Sequence, residues 1–340
     1  MKSSYSSGRH YLEKLIEPNV QSVAMIFGLS IVLWLLGYAF QPQELWNCEP
    51  SSHIDVMLGE LIDPTSFAGY FFGWASVLIV AVMLFVLNER DNMISQRTIL
   101  PIFFYVVLVG TNVNAQSFVM SSVSNVFVIL AMHSVFSGYR QRFPVRSSFN
   151  IGIYIALASV FCEEYLLLLP FFLLGMLLLN TLSLRTFFAS LVGLIASYFL
   201  IFGIMFIVDD SMAISLYEEY VSYFHLPSPE YEISVVILLF YGSQFLCLLC
   251  AASSVFSRNY VDNMKGSKLL GVTIMLMLGG VLMFLLFSNK MPSFYPLMAM
   301  LESILFAHYF TLHKSMASKI VFLTFICCSS LYFLNSVIFQ

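Results

Sequence analysis

Residues 22–40, SVAMIFGLSIVLWLLGYAF, form an uninterrupted apolar run behind a polar N-terminal segment, 1–21, that carries Lys2, Arg9 and Lys14. At about 1.5 Å per helical residue, such a run crosses a hydrocarbon core of about 30 Å. Gln41-Pro42-Gln43-Glu44 follows it in place of a small-residue cleavage site, so the run is expected to be a retained first helix and not a signal peptide. The whole chain is 59% hydrophobic and 10% charged, with a mean hydropathy of +0.87, which excludes an ordinary soluble domain.

Ten further apolar segments follow, at 67–87, 99–111, 117–137, 149–162, 165–180, 186–208, 233–255, 269–288, 293–312 and 320–338. Together with the first they predict an all-α polytopic membrane protein of about eleven transmembrane segments in a single membrane domain, 22–340. The loops between them alternate in charge. Fourteen of the fifteen Lys and Arg residues fall in one alternating set, in clusters such as Arg140, Arg142 and Arg146, and only Lys290 falls in the other. Cytoplasmic loops carry the excess of Lys and Arg. The N-terminus is therefore expected in the cytoplasm and the C-terminus in the periplasm of a bacterial inner membrane. The long loops 41–66 and 209–232, which hold acids and no Lys or Arg, are then outside. Within them, 54–62 and the stretch around Tyr217, Tyr220, Tyr223 and Phe224 have the spacing of helices lying along the interface.

Three segments, 99–111, 149–162 and 165–180, are 13, 14 and 16 residues long, shorter than the roughly 17–25 that span comfortably. The first runs into the polar stretch 111–117, and the other two are separated only by Glu163-Glu164. Short helical hairpins whose tips stop below the outer surface satisfy both the lengths and the charge alternation. Irregular backbone at such depth is tolerated where protein buries it or where it lines a wet cavity, so a recessed, outward-open wet cavity is expected around these two tips.

The candidate chemical groups are few. Glu163 and Glu164 are costly between apolar half-helices unless solvated, paired or protonated. They read either as a polar hairpin tip or as a base or cation-binding carboxylate. Glu302 is the acid in the interior of a long apolar segment, where an ionisable residue faces the bundle and reads either as functional or as a structural hydrogen bond to a neighbouring helix. His308 lies on a broad common face with it. Lys290, the lone outward cation, suits an ion pair or the phosphate of a lipid. Asp55, Glu60 and Asp63 in the first outward loop are candidate bases for glycosyl transfer. Of the cysteines, Cys48 and Cys162 face outward, and one disulfide between them is conceivable. The six scattered histidines give no metal set, and no phosphate-binding glycine motif, nucleophile elbow or nucleic-acid basic patch is present.

The stretches 125–139, 149–179, 186–206 and 296–310 resemble an uncharacterised family of multi-pass inner-membrane proteins of Bacteroidota. Within the second of them, Gly152-Ile153-Tyr154-Ile155-Ala156-Leu157-Ala158-Ser159 leads through a short break to Leu166-Leu167-Leu168-Leu169-Pro170. The layout is also similar to the GT-C class of polyprenyl-linked glycosyltransferases, with a long first outward loop, short paired helices and a small-residue helix before a recessed tip. That resemblance implies a catalytic acid in the first outward loop, for which Asp55 is the nearest in position. It also implies cations for a lipid phosphate, which here reduce to Lys290.

Three functions follow as expectations. The first is an envelope protein with a GT-C-like scaffold acting on a polyprenyl-phosphate-linked sugar or a related membrane lipid. The second is a non-enzymatic subunit or anchor of a membrane protein complex. Transport ranks third, because no interrupted helices pair in repeat-related halves. The topology is directly testable. Cysteines introduced at Ser51 and Ser228 are expected to react with a membrane-impermeant reagent added to intact cells, and labelling of both only after lysis would overturn the assignment.

Overall fold

A computed structural model describes residues 19–40, 66–94, 96–116, 119–139, 141, 144–208, 235–256, 264–287, 291–313 and 315–338. Among these residues all regular structure is helical. The helices are α1 (Val20–Ala39), α2 (Phe67–Asp91), α3 (Leu100–Thr111), α4 (Val119–Gly138), α5 (Val145–Phe161), α6 (Leu168–Leu178), α7 (Leu184–Val208), α8 (Val235–Phe256), α9 (Met264–Leu286), α10 (Met291–Leu312) and α11 (Met316–Ile338). A single turn, Val113–Gln116, follows α3, and a 3-10 turn, Glu163–Leu167, joins α5 to α6. The chain is thus a multi-pass membrane protein.

Each apolar segment of the sequence coincides with one of these helices, but they are not equivalent. Among the described residues seven, α1, α2, α4, α7, α8, α9 and α11, are long and apolar enough to cross a membrane, against the eleven expected. The short segments are short helices: α3 has 12 residues and α6 has 11. The α5 segment is longer than its apolar run, at 17 residues, because it starts at Val145 directly after Pro144. Proline lacks the N–H that a first turn leaves unused, and the Ser148 hydroxyl donates to the Pro144 carbonyl at 2.8 Å. The polar Arg146, Ser147 and Ser148 therefore belong to the helix.

Burial explains why α10 is long yet less apolar. Residues 293–311 of α10 are buried or half-buried throughout, and α3 is buried along nearly its whole length. These two helices pack on each other at the centre and are surrounded by α1, α2, α4, α8, α9 and α11. The outer helices turn large apolar side chains outward, among them Phe199 and Ile207 of α7 and Leu238 of α8, exposed by 78%, 84% and 63%. Outward apolar side chains suit hydrocarbon, and only helices shielded by others can afford polar residues at depth.

Two contacts set the remaining geometry. At one end of the bundle, His133 of α4 and Asp91 of α2 pair at 2.9 Å, and the Lys265 ammonium of α9 donates to the Asp91 carbonyl at 2.6 Å. Arg97 and Glu89 pair nearby at 3.4 Å. The termini that the charge alternation assigns to one side of the membrane do meet at one end. Along the flank, α5 and α7 approach backbone to backbone: a Cβ at Gly152 would strike the Ser190 carbonyl oxygen, and one at Gly193 would strike the Phe149 carbonyl oxygen. Small residues allow this close packing in a membrane, where dispersion contact has to replace the hydrophobic effect between helices.

This contact yields a stability prediction. Gly152→Leu is expected to lower the thermal unfolding midpoint in detergent, by about 1–3 kcal/mol of overpacking or more. Gly203→Leu is expected to leave it unchanged, since nothing lies within 4 Å of a Cβ there. Equal midpoints for the two variants would contradict the close approach.

Candidate functional site: a buried polar centre

The central helix α3 is apolar except for Tyr105, Thr111 and its cap Asn112. Tyr105 and Asn112 are seven residues apart, so they lie on nearly the same face, separated by about 10 Å along the axis. Each anchors a buried polar group of residues, and together these groups form one polar centre inside an apolar bundle.

Around Tyr105 the partners come from α4 and the 3-10 turn. The Tyr105 hydroxyl lies beside Ser122 and Asn125. Tyr165 donates to the Asn125 side-chain oxygen at 2.9 Å, and all of these residues are buried. Glu163, Glu164 and Tyr165 form the start of the turn, exposed by 3%, 1% and 0%. The hairpin tip is therefore wrapped by protein, where an outward-open cavity was expected. Cys162, expected to face outward, is fully buried beside it, because the chain between α5 and α6 turns into the bundle and not out of it.

Around Asn112 the partners come from α8 and α10. The Asn112 side chain lies beside the Tyr241 hydroxyl, and Glu302 is within electrostatic range of Tyr241 and Tyr295. Gln244 donates to the Tyr295 hydroxyl at 2.9 Å, and Tyr295 donates to the Leu108 carbonyl of α3 at 3.2 Å. Tyr332 of α11 completes this side and stacks on Phe240 with ring centroids 4.2 Å apart. Glu302 and Asn112 are exposed by only 5% and 3%.

Protein donors meet the carbonyls at the end of α3, from Val107 to Gly110. Thr111 donates to the Val107 carbonyl at 2.8 Å, and Gln116 donates to the Gly110 carbonyl at 2.7 Å and to the Leu33 carbonyl at 3.3 Å. Gly37 of α1 leaves the space that the Gln116 amide occupies. A helix that stops inside a membrane protein must satisfy its last carbonyls this way.

The structure thus brings Glu163 and Glu164 to one side of the polar centre and Glu302 to the other. It does not pair Glu302 with His308, whose electrostatic neighbour is His313 towards the end of α10. Asp55, Glu60, Asp63, Lys290 and Cys48 lie outside the described residues, as do 54–62 and 209–232. Among the described residues no group of three or more His, Cys, Asp or Glu gathers in the manner of a metal site. The tyrosines and amides are the residues that the apolar pattern concealed. Asn125 and Gln244, amides inside spanning runs, were the signal available for them.

A separate feature lies on the lateral face. Trp34, Leu35, Tyr38, Phe67, Tyr70, Phe71 and others line a groove of about 180 Å³ between α1 and α2.

Residues 58–339 match the profile of DUF6427, a family of unknown function, and the chain belongs to that family. No curated protein and no solved structure matches it.

The Tyr165–Asn125 bond gives a test of the centre's packing. Tyr165→Phe removes the donor and leaves the Asn125 oxygen buried without a partner, an expected cost of about 1–3 kcal/mol. Replacing both partners, as Tyr165→Phe with Asn125→Leu, is expected to recover part of that loss. Thermal unfolding of the purified variants measures both, and a Tyr165→Phe protein as stable as the wild type would place the bond outside the core.

Proposed function

We propose that this chain is an inner-membrane envelope protein that receives the polar part of a lipid-linked substrate in its buried centre, a polyprenyl-phosphate-linked sugar or a related envelope lipid. Its N-terminus lies in the cytoplasm and its C-terminus in the periplasm. The observation that carries this reading is the convergence of two interrupted elements, the end of α3 and the Glu163–Leu167 turn, on one polar centre. Helices broken at depth cost backbone hydrogen bonds, and in membrane proteins they gather where a substrate or ion is handled.

In this reading Glu163 or Glu164 serves as the carboxylate that positions or deprotonates an acceptor hydroxyl. Asp55, from the first outward loop, is the other catalytic acid. Lys290 holds the lipid phosphate, because an ammonium binds phosphate as a point charge. The similarity to GT-C enzymes belongs to the same reading: short paired helices and a recessed tip follow a small-residue helix, which here is α5 with Gly152, Ala156, Ala158 and Ser159.

The anchor-subunit reading is favoured by a different observation, the aromatic groove between α1 and α2, which gives a partner's transmembrane helix a shaped apolar seat. A bundle that works only through this face has no need of a lipid phosphate.

Mass spectrometry of lipids retained by the purified protein separates the two. A polyprenyl phosphate or its glycosylated form is expected to copurify with the wild type and to fall severalfold in Lys290→Ala. Glu163→Gln is expected to keep the lipid while losing transfer of its sugar. A wild type that retains no such lipid above the level of an unrelated helical membrane protein in the same detergent would reject the substrate reading and leave the anchor reading ahead.

A further inference from the structure

We propose that the groove between α1 and α2 is the seat of one acyl chain of a membrane phospholipid, held there as a fixed part of the bundle's flank. The site is independent of the lipid-linked reading. It goes against the anchor reading, in which the same groove receives a partner's helix.

The chemistry of the wall selects hydrocarbon. Three of the rings that line the groove, Trp34, Tyr70 and Trp74, carry a polar atom, and each keeps that atom on the protein side. The Trp74 indole N–H donates to the Ser30 hydroxyl at 3.1 Å. Trp34 Nε1 and the Tyr70 hydroxyl are enclosed by protein, in residues exposed by 5% and 2%. Ring carbons are then what these residues turn to the groove, beside Leu35 and Phe71, which are exposed by 53% and 49%. Tryptophan and tyrosine near a membrane boundary ordinarily keep their polar tips wet. With the tips inside, the groove suits an apolar chain and is a poor seat for a polar head group.

Its length favours a chain over a helix. α1 and α2 touch at both ends of the groove. Where α1 finishes and α2 starts, the Tyr38 ring meets those of Phe67 and Tyr70, with centroids 5.5 and 5.6 Å apart. Deeper in the bundle, Phe27 meets Trp74 at 5.5 Å, next to the bond from Trp74 to Ser30. The eight residues from Ser30 to Tyr38 rise about 12 Å, roughly two helical turns, against about 30 Å of hydrocarbon core. Close contact between transmembrane helices also draws on small residues, and among the described residues that line the groove none is Gly, Ala or Ser.

The position of Trp34 selects the kind of lipid. Its ring stands between the groove and the last turn of α3, where a Cβ at Gly110 would come within 3.1 Å of it. A lipid whose head lies in the polar centre cannot lay its tail in the groove without displacing that indole. A phospholipid keeps its head group at the membrane surface, beside the end of α1 at Ala39 and the start of α2 at Phe67. One of its chains then descends directly into the groove.

The chain has three tryptophans, Trp34, Trp46 and Trp74, and two of them line the groove, so their fluorescence reports its occupant. Full-length Trp46→Phe protein is purified, stripped of lipid in detergent and titrated with a phosphatidylglycerol brominated along its acyl chains, since bromine quenches tryptophan on contact. Fluorescence is expected to fall to a plateau, and the same lipid without bromine is expected to restore it. Ile31→Phe with Leu35→Phe, which fills the groove, is expected to abolish the plateau. Where that variant does not fold, the competition between the two lipids decides alone. A loss that grows with added lipid and never levels off is bulk contact and overturns the seat, as does a plateau that survives in the filled variant. Recovery with a polyprenyl phosphate but not with the unbrominated phospholipid gives the groove to the lipid-linked substrate. A second polypeptide that copurifies and protects the tryptophans gives it to a partner's helix. Either result overturns the proposal.

Discussion

A helix that ends inside a membrane protein cannot hand its last carbonyls to water, and the closure of α3 is the constraint on which this structure turns. Four consecutive carbonyls, from Val107 to Gly110, are accounted for by Thr111, Tyr295, the Asn112 N–H and Gln116. Tyr295 is supplied by α10, and it is itself held by Gln244 of α8. The same cap that ends α3 therefore fixes α10 and α8 against it. On the other side, Gln116 reaches the Leu33 carbonyl of α1 across the space left by Gly37. An unsatisfied backbone group in hydrocarbon costs several kcal/mol, so each of these side chains is more strongly constrained than its own contact area suggests.

From that closure follows the distribution of polarity. Once α3 and α10 are enclosed, α10 can hold Glu302, His308, Ser293 and Ser303 at depth, whereas α7 and α8 must remain apolar on their outer faces. Serines in the buried helices mostly donate to carbonyls one turn earlier in their own helix, as Ser303 does to Met300 at 2.7 Å and Ser159 to Ala156 at 2.8 Å. Interhelical bonds are left mainly to the tyrosines and amides. Ser159 also meets the Tyr198 hydroxyl of α7, and the Trp74 indole N–H of α2 donates to Ser30 of α1 at 3.1 Å. Ser124 crosses to the Ala158 carbonyl of α5 at 2.9 Å. It helps hold the hairpin whose tip carries Glu163 and Glu164.

Much of this was legible in the sequence, and the limits have physical causes. Apolar runs located the helices because hydrocarbon demands uninterrupted apolar surface, and the short run before Thr111 announced a helix that stops inside. Helix ends were less legible: α5 starts directly after Pro144, with Arg146, Ser147 and Ser148 inside the helix, which apolar counting does not register. Glu163, Glu164 and Glu302 stood out because acids are rare among apolar residues. Tyr105, Tyr165, Tyr241 and Tyr295 did not, since a tyrosine in an apolar run packs equally well as core, interface anchor or hydrogen-bond donor. Their roles depend on which residues of other helices they face, and that is a property of the tertiary packing alone.

The two halves of the polar centre differ in what their donors leave behind. Around Tyr105 the groups that meet are hydroxyls and an amide, which can both give and accept, and Tyr165 with Asn125 closes a bond between them. Around Asn112 the Tyr295 hydroxyl and the Gln244 amide are drawn into the cap of α3, and Glu302 Oε2 and Asn112 Oδ1 are buried without a hydrogen-bond partner. A bundle with an unbroken α3 would need neither the Tyr295 bond nor the Gln244 bond that supports it.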